Sequence, residues 1–393
     1  MKKLMIVGAS VLQLPAIVRA KELGLHVAVA DFNPQAVGIA HADTFYNAST
    51  MDEEAVCRAA EEYRPDGIMT LATDMPMRGV ARASERLGLH SISYPTAVRA
   101  TDKFDMIEAF RAHGVPAPWY RLVASEEELR ALKGEVTYPC IMKPTDNAGS
   151  HGVVLVHDYE ELIASYRYSR ESSRGGNVIV EEYLQGDEVS VEVMVVDGKA
   201  HILQITDKLT TGAPHFVEMG HSQPSRHPEE VKERIRNVAE AAVAAVGIDR
   251  GPAHVEMMVT ARGPVMIELG ARMGGDNITT HLVPLSTGID MVEATIRTAL
   301  GQRPDITPRL HCGSAIRYFQ APRGIIRSIE GVDAARRTEG VRQITFTKNV
   351  GDESSPIHCS NDRIGFVIAQ AATAEEAVAV CEKAMAQIRI VTQ

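Results

Sequence analysis

The sequence predicts an α/β protein of several domains: an N-terminal doubly wound parallel α/β domain, a central α+β region and a small C-terminal α+β module. Three observations carry this. Strands alternate with helices over residues 3–88. Two runs of period-two alternation at 253–269 form a hairpin in the middle of the molecule. Residues 309–393 read strand, turn, strand and end in a helix. At 393 residues the chain has room for two or three domains with their own cores.

Residues 3–7 are a buried strand, Gly8-Ala9-Ser10 a turn, and 11–23 a helix with Gly24 as its C-cap. Residues 26–30 form a second strand ending at Asp31. Helical periodicity returns at 52–63, a strand follows at 67–71, and Pro76 opens a helix that runs to about Leu87 before Gly88. Such alternation gives a parallel sheet. A dinucleotide fold is disfavoured. Asp31 sits where a ribose-binding acid would, but the first turn lacks G-x-G-x-x-G, so a pyrophosphate finds no close backbone approach.

Tyr94-Pro95-Thr96 marks the first boundary, giving an N-terminal domain of 1–95. A helix carrying Lys103 runs to about His113, and Gly114 to Pro118 forms a linker. Ser125 to Glu128 reads as a capping box. A strand at 138–142 ends on Lys143-Pro144. The loop from Thr145 to Gly152 is built of small polar residues and leads into a strand at 153–156. It is spelled neither as a Walker loop nor as a kinase loop. Small residues, free backbone N–H groups and a nearby lysine nevertheless suit polyphosphate; the plain alternative is a surface hairpin loop. Strands follow at 177–182, 189–195 and 199–206, the last two joined by the turn Asp197-Gly198. Residues 207–227, with Glu218 and His221, look polar and irregular, and such a length without periodicity is usually functional or disordered. A core helix spans 229–246. After the hairpin, helical signal resumes over 290–300. The central region thus covers 96–300, with about 114–182 a smaller subdomain, and 301–393 is the C-terminal module.

The hairpin carries the chemistry. If Ala261-Arg262-Gly263 is the loop, Thr260 lies opposite Pro264 and Glu256 falls directly across from Glu268. Ala253, Val255, Met257, Val259, Val265, Ile267 and Leu269 make the core face; the glutamates share the other. Opposed like charges destabilise a hairpin, and a cation between them reverses the sign. Oxygen-only ligands point to Mg²⁺, which binds few carboxylates and completes its shell with phosphates and water. The bland alternative is two solvated glutamates.

Composition narrows the classes. Net charge is −10 and 45% of residues are hydrophobic. An acidic chain lacks the basic footprint of nucleic-acid binding. No apolar run approaches the roughly 18 residues of a membrane span. The apolar stretch after Met1-Lys2-Lys3 is too short for a signal peptide and breaks at Gly8. Five cysteines without pairing logic read as reduced thiols in a cytoplasmic protein.

In this order, Lys103, the strand-end Lys143, the 146–152 loop, V-E-E-Y-L-Q-G-D-E at 180–188 and the two-carboxylate hairpin resemble the ATP-grasp superfamily over essentially the whole chain. The resemblance implies ATP and Mg²⁺ (or Mn²⁺) as cofactors. Lys103 and Lys143 match its phosphate-holding lysines. Asn147, Gly149, Ser150, His151 and Gly152 match the flap over the triphosphate, which makes 114–182 the lid-bearing subdomain. Glu181, Glu182 and Leu184 match the adenine hinge, and Glu188 the ribose ligand. Glu256 and Glu268 match the metal ligands, and Arg272 the arginine facing the transferred phosphate. Many relatives read E-x-N at the second metal site; here Gly270 holds that place. Either Asn277 substitutes, or the ions rely on Glu256, Glu268, phosphates and water.

E-L-G-A-R-M-G-G at 268–275 and F-V-E-M-G-H at 216–221 look like the L-amino-acid ligase branch. By that resemblance Glu218 and His221 face the amino-acid substrate, while Arg272 and Gly275 face its carboxylate or acyl phosphate. The implied activity is an ATP-dependent carboxylate–amine ligase working through an acyl phosphate. Its partners are a small carboxylate and an amine, and since the family often dimerises a homodimer is open. Alternatives are a purine-biosynthesis ligase of the phosphoribosylamine–glycine type, a biotin-carboxylase-like component, and a non-catalytic nucleotide-binding regulator. Retention of both lysines, both glutamates and the arginine speaks against the last.

Overall fold

The computed structural model describes residues 1–146 and 151–393. The N-terminal strands β1 (Lys3–Val7), β2 (His26–Asp31), β3 (Thr44–Asn47) and β4 (Gly67–Met69) form a parallel sheet of order β3-β2-β1-β4. Their near-continuous apolar runs suit a sheet covered on both faces. Helices Leu14–Glu22, Glu53–Tyr63 and Pro76–Leu87 alternate with the strands. Asp52 caps the second of these by accepting from the Ala55 N–H, and Gly88 ends the third in the left-handed region at φ 66°. A short helix at Tyr94–Arg99 occupies the expected first boundary. Ser125 caps the helix Glu126–Ala131, but Glu128 reaches back to the Ala124 N–H rather than to Ser125 itself, so the expected box is offset by one residue.

Strands β5 (Tyr120–Val123), β6 (Cys140–Pro144), β7 (Val154–Val156) and β8 (Val178–Glu182) form an antiparallel sheet of order β5-β8-β6-β7. Helix Tyr159–Glu171, which the sequence reading did not anticipate, covers it through Leu162 and Tyr166. Asn147, Gly149 and Ser150 lie outside the described residues.

The largest sheet begins with β9 (Asp187–Val196), β10 (Lys199–Thr210), β11 (Glu218–Gln223), β12 (Gly251–Thr260) and β13 (Gly263–Gly270). The last part of the chain supplies β14 (Gly313–Phe319), β15 (Gly324–Glu330), β16 (Val341–Phe346), β17 (Glu353–Ser354), β18 (Gly365–Ala371) and β19 (Arg389–Thr392). The order β13-β12-β9-β10-β11-β14-β18-β16 runs straight across the boundary expected at residue 301, while β17-β15-β19 form a small separate sheet. Helix Ala374–Met385 closes the C-terminal core.

The two faces of the large sheet differ in kind. Val189, Val191, Val193, Ala253, Val255 and Met257 are buried against helix Glu229–Val246. Each fully buried aliphatic side chain of this sort contributes about 1.5–3 kcal/mol relative to exposure. The alternate positions carry Ser190, Glu192, Thr206, His221, Gln223 and His254, all buried as well. A buried polar layer is costly unless every group is paired, so this face marks the site. It also explains why residues 207–227 looked irregular. β10 runs on to Thr210 and β11 occupies Glu218–Gln223, but there Lys208 is turned inward and Leu209 outward, and β11 buries His221 and Gln223, so there is no apolar–polar alternation to read. Among the described residues no helix is long and apolar enough to cross a membrane.

Candidate active site

Three bulges position the site. Glu256 does lie opposite Glu268, although the turn is shorter than expected. Thr260 pairs with Gly263, leaving a two-residue loop, and an extra residue at Ile267 restores the register at the glutamates. That bulge also corrects the expected core face: Met266 is fully buried, and Ile267 turns to line a cavity. In β10, a register shift after Ile202 brings Lys208 alongside Glu188. In β11, Met219 is the extra residue, so Glu218 and His221 lie opposite Thr210 and Lys208. The bulge thus gives a three-residue spacing one common face.

On this face Lys208 is the centre of charge. Its Nζ is 2.5 Å from Glu188, 2.9 Å from Glu256 and 3.6 Å from Glu218. Burial works against the ammonium, but the three carboxylates outweigh it and hold its pKa well above the ordinary lysine value. Burial also acts on Glu188, which stays above the usual carboxylate range because Lys208 is shared and Glu256 is close. For Glu256, burial is overcome by Lys208 and His254, which hold the carboxyl well below that range. Glu268 pairs with Lys103 at 2.9 Å and is likewise lowered against burial. Lys143, at the end of β6, pairs with Glu181 at 2.5 Å, both being nearly buried.

His254 lies between Glu192 at 2.8 Å from Nδ1 and Glu256 at 3.0 Å from Nε2. Burial disfavours the imidazolium, but the two carboxylates prevail and raise its pKa to about 9. Arg272 forks onto Asp74 of the N-terminal domain at 2.7 and 2.9 Å, which ties that domain to the hairpin. Asp276 is gripped by Arg363 at 2.7 and 2.8 Å, with His221 Nε2 at 3.3 Å. Despite burial, the hydrogen bonds from His221 and Arg363 and the Arg363 charge hold the Asp276 carboxyl far below the usual range. Arg363, in the connection before β18, also donates to the Glu218 carbonyl, so the C-terminal module braces Glu218 directly and His221 through Asp276.

Two cavities meet here. The first collects Lys143, His151, Glu181, Glu182, Leu184 and Glu188, all expected nucleotide residues. The second, about 490 Å³, opens toward the C-terminal ends of the parallel strands and takes in His221, Gly275 and Asp276. Its size falls in the range of small-molecule sites, roughly 300–1,000 Å³. Lys103, Glu218, Glu256, Glu268 and Arg272 line both and form the shared wall. Opposed carboxylate oxygens in this wall, with no sulfur donor, fit a hard divalent cation that finds further ligands on a phosphate chain. Among the described residues no three His, Cys, Asp or Glu side chains converge as a metal-holding group, so the protein alone offers an incomplete shell.

Two expected residues stand elsewhere. Asn277 lines neither cavity; it stands in the left-handed region just before the turn at Ile278–Leu282, beside Asp276, whose carbonyl accepts from the Tyr318 hydroxyl. Gly152 also lines neither; a Cβ there would come within 2.6 Å of Ser172. Sequence reasoning missed Lys208, Asp74, Glu192, His254, Asp276 and Arg363. The available signal for Lys208 was the Asp197-Gly198 turn, but an unbulged register from it pairs Lys208 with Asp187, not Glu188.

Comparison with known proteins finds likeness in sequence and fold. The family model for the ATP-grasp domain matches residues 136–281, and that for the L-amino acid ligase C-terminal domain 2 matches 317–393. Alanine–anticapsin ligase of Bacillus subtilis (strain 168) is 31% identical over 289 residues, covering 67% of this chain and 60% of that protein. The chain therefore spans about three fifths of the length of these curated relatives. Formate-dependent phosphoribosylglycinamide formyltransferase of Saccharolobus solfataricus is 24% identical over 99% of this chain and 97% of its own. The crystal structure of an L-amino acid ligase from Bacillus licheniformis superposes with a TM-score of 0.85 at 24% identity, covering 100% of this chain and 99% of that one.

Proposed function

We propose, from the premise that this chain belongs to the ATP-grasp superfamily, that it is an ATP-dependent carboxylate–amine ligase acting on an amino acid. The observation that carries the reading is the shared wall: one set of charged side chains faces both a nucleotide-type cavity and a substrate-type cavity. A carboxylate is a poor electrophile. Transfer of the γ-phosphoryl group of ATP to it gives an acyl phosphate, which an amine attacks to form an amide, releasing phosphate and leaving ADP. Such transfer depends chiefly on positioning and charge neutralisation.

Lys143 and Lys103 supply positive charge from the nucleotide side of the wall. Arg272, kept in one orientation by Asp74, supplies it at the boundary with the substrate cavity. Glu256 and Glu268 would hold Mg²⁺, which neutralises phosphate charge when bound. Glu218 is placed to receive a substrate ammonium or to accept a proton from the attacking amine. His221, oriented by Asp276 and Arg363, is placed to contact the acyl or carboxylate end. The five unpaired cysteines support a cytoplasmic setting.

A second reading has its own support: the likeness to phosphoribosylglycinamide formyltransferases extends over 99% of this chain. An ADP-release screen separates the two. The ligase reading expects ATP turnover stimulated by pairs of amino acids and an amide product. Stimulation by formate with phosphoribosylglycinamide, and by no amino-acid pair, would select the second.

A further inference from the structure

Glu192 is a wholly buried carboxylate that lines neither cavity. Its Oε1 takes the Nδ1–H of His254 and, at 3.3 Å, the Ser190 hydroxyl; Oε2 is enclosed without a hydrogen-bond partner among the described residues. The main chain at Gly274 seals the pair. A Cβ there would stand 2.6 Å from His254 Nδ1 and 3.0 Å from Glu192 Oε2. A buried charge is expensive unless it is held and used, and the reach of Glu192 to the site runs through the imidazole ring.

We propose that Glu192 and His254 form a positioning relay that fixes the carboxylate of Glu256 for the divalent cation. The inference rests on the reading of Glu256 as a metal ligand. The ring is pinned at Nδ1 by Glu192, so Nε2 meets Glu256 Oε1 at 3.0 Å in one orientation only. The other oxygen, Oε2, faces Lys208 at 2.9 Å. With both oxygens held, the carboxylate keeps one orientation at the hairpin position opposite Glu268. Hydrogen-bonded partners behind a ligating group typically control metal affinity by about 10- to 100-fold. On this account His254 and Glu192 act through Glu256 and touch no substrate.

The test measures Mg²⁺ binding without turnover. Calorimetry with a non-hydrolysable β,γ-imido analogue of ATP, titrated at increasing Mg²⁺, gives the half-saturating Mg²⁺ concentration; melting temperature without metal is recorded alongside. His254→Asn, which removes the donor to Glu256, should raise that concentration roughly tenfold or more. His254→Gln, whose amide reaches the Nε2 position, should stay within about threefold of wild type. Glu192→Gln should raise it several-fold, and carries the test if His254→Asn does not fold. An unchanged Mg²⁺ requirement with a lowered melting temperature would overturn the relay and leave only a packing role. Equal rises in His254→Asn and His254→Gln would overturn it too. Glu256→Gln is the control: if it leaves the Mg²⁺ requirement unchanged, the metal reading itself fails. A rise there with none in His254→Asn rejects the relay alone.

Discussion

Replacing Lys208 by Met should be among the most damaging single changes in the molecule, and the reason can be worked from distances. Its side chain is 3% exposed, and its ammonium stands 2.5 Å from Glu188 and 2.9 Å from Glu256, with Glu218 at 3.6 Å. Met keeps most of the volume and removes the charge. Three half-buried carboxylates are then left facing one another around an apolar side chain. Removing one partner of a buried ion pair costs about 3–5 kcal/mol, so Lys208→Met should lose that much stability near neutral pH. Glu188→Gln in the same chain removes one of the stranded charges and should restore roughly 1–3 kcal/mol, the usual coupling between contacting residues. Urea unfolding of wild type, both single variants and the double variant, compared at constant slope, gives the coupling directly. If Lys208→Met lies within about 1 kcal/mol of wild type, or the double variant is no more stable than the single, the carboxylates are not held together by Lys208 and the charge map of the site is wrong.

Other substitutions test separate parts of the wall. Glu268→Gln removes one metal charge while Lys103 keeps a hydrogen-bonding partner; the fold should survive and Mg²⁺-dependent turnover should vanish, whereas activity within about threefold of wild type would refute the metal reading. Lys143→Ala should weaken nucleotide binding measured by calorimetry and slow ADP formation; both unchanged would make Lys143 a partner of Glu181 and nothing more. Glu218→Gln or His221→Ala should lower kcat/KM for the amino acid by about 10- to 100-fold, as expected for loss of a charge-assisted contact of roughly 1.5–3 kcal/mol, with nucleotide affinity preserved. Equal loss of nucleotide affinity would remove these residues from the substrate side.

Much of this site was legible before the fold was seen, and the exceptions share a cause. Apolar alternation on either side of Arg262 made the hairpin plain, and with it the opposition of Glu256 and Glu268. That opposition came out right through two compensating departures, a shorter loop and the extra residue at Ile267. Where a bulge was not compensated, the reading failed: the shift after Ile202 concealed Lys208 as the partner of Glu188. Glu192 and His254 stand at polar positions of alternating strands, and their burial depends on neighbouring strands that no local pattern reports. Asp74 and Arg363 reach the site from parts of the chain far away in sequence, and no local spacing reports such a contact. Asn277 was a reasonable stand-in for the missing third ligand, but the chain turns at Asp276 and Asn277, with φ of 51° and 62°, and Asn277 lines neither cavity.

The central claim is that this wall of charge activates a carboxylate as an acyl phosphate. Oxygen-isotope transfer tests it most directly. With the carboxylate substrate labelled in both oxygens with ¹⁸O, and with MgATP and the amine, the account predicts ADP and inorganic phosphate carrying one ¹⁸O per amide formed. Release of AMP and pyrophosphate, or phosphate free of label while amide accumulates, would contradict it.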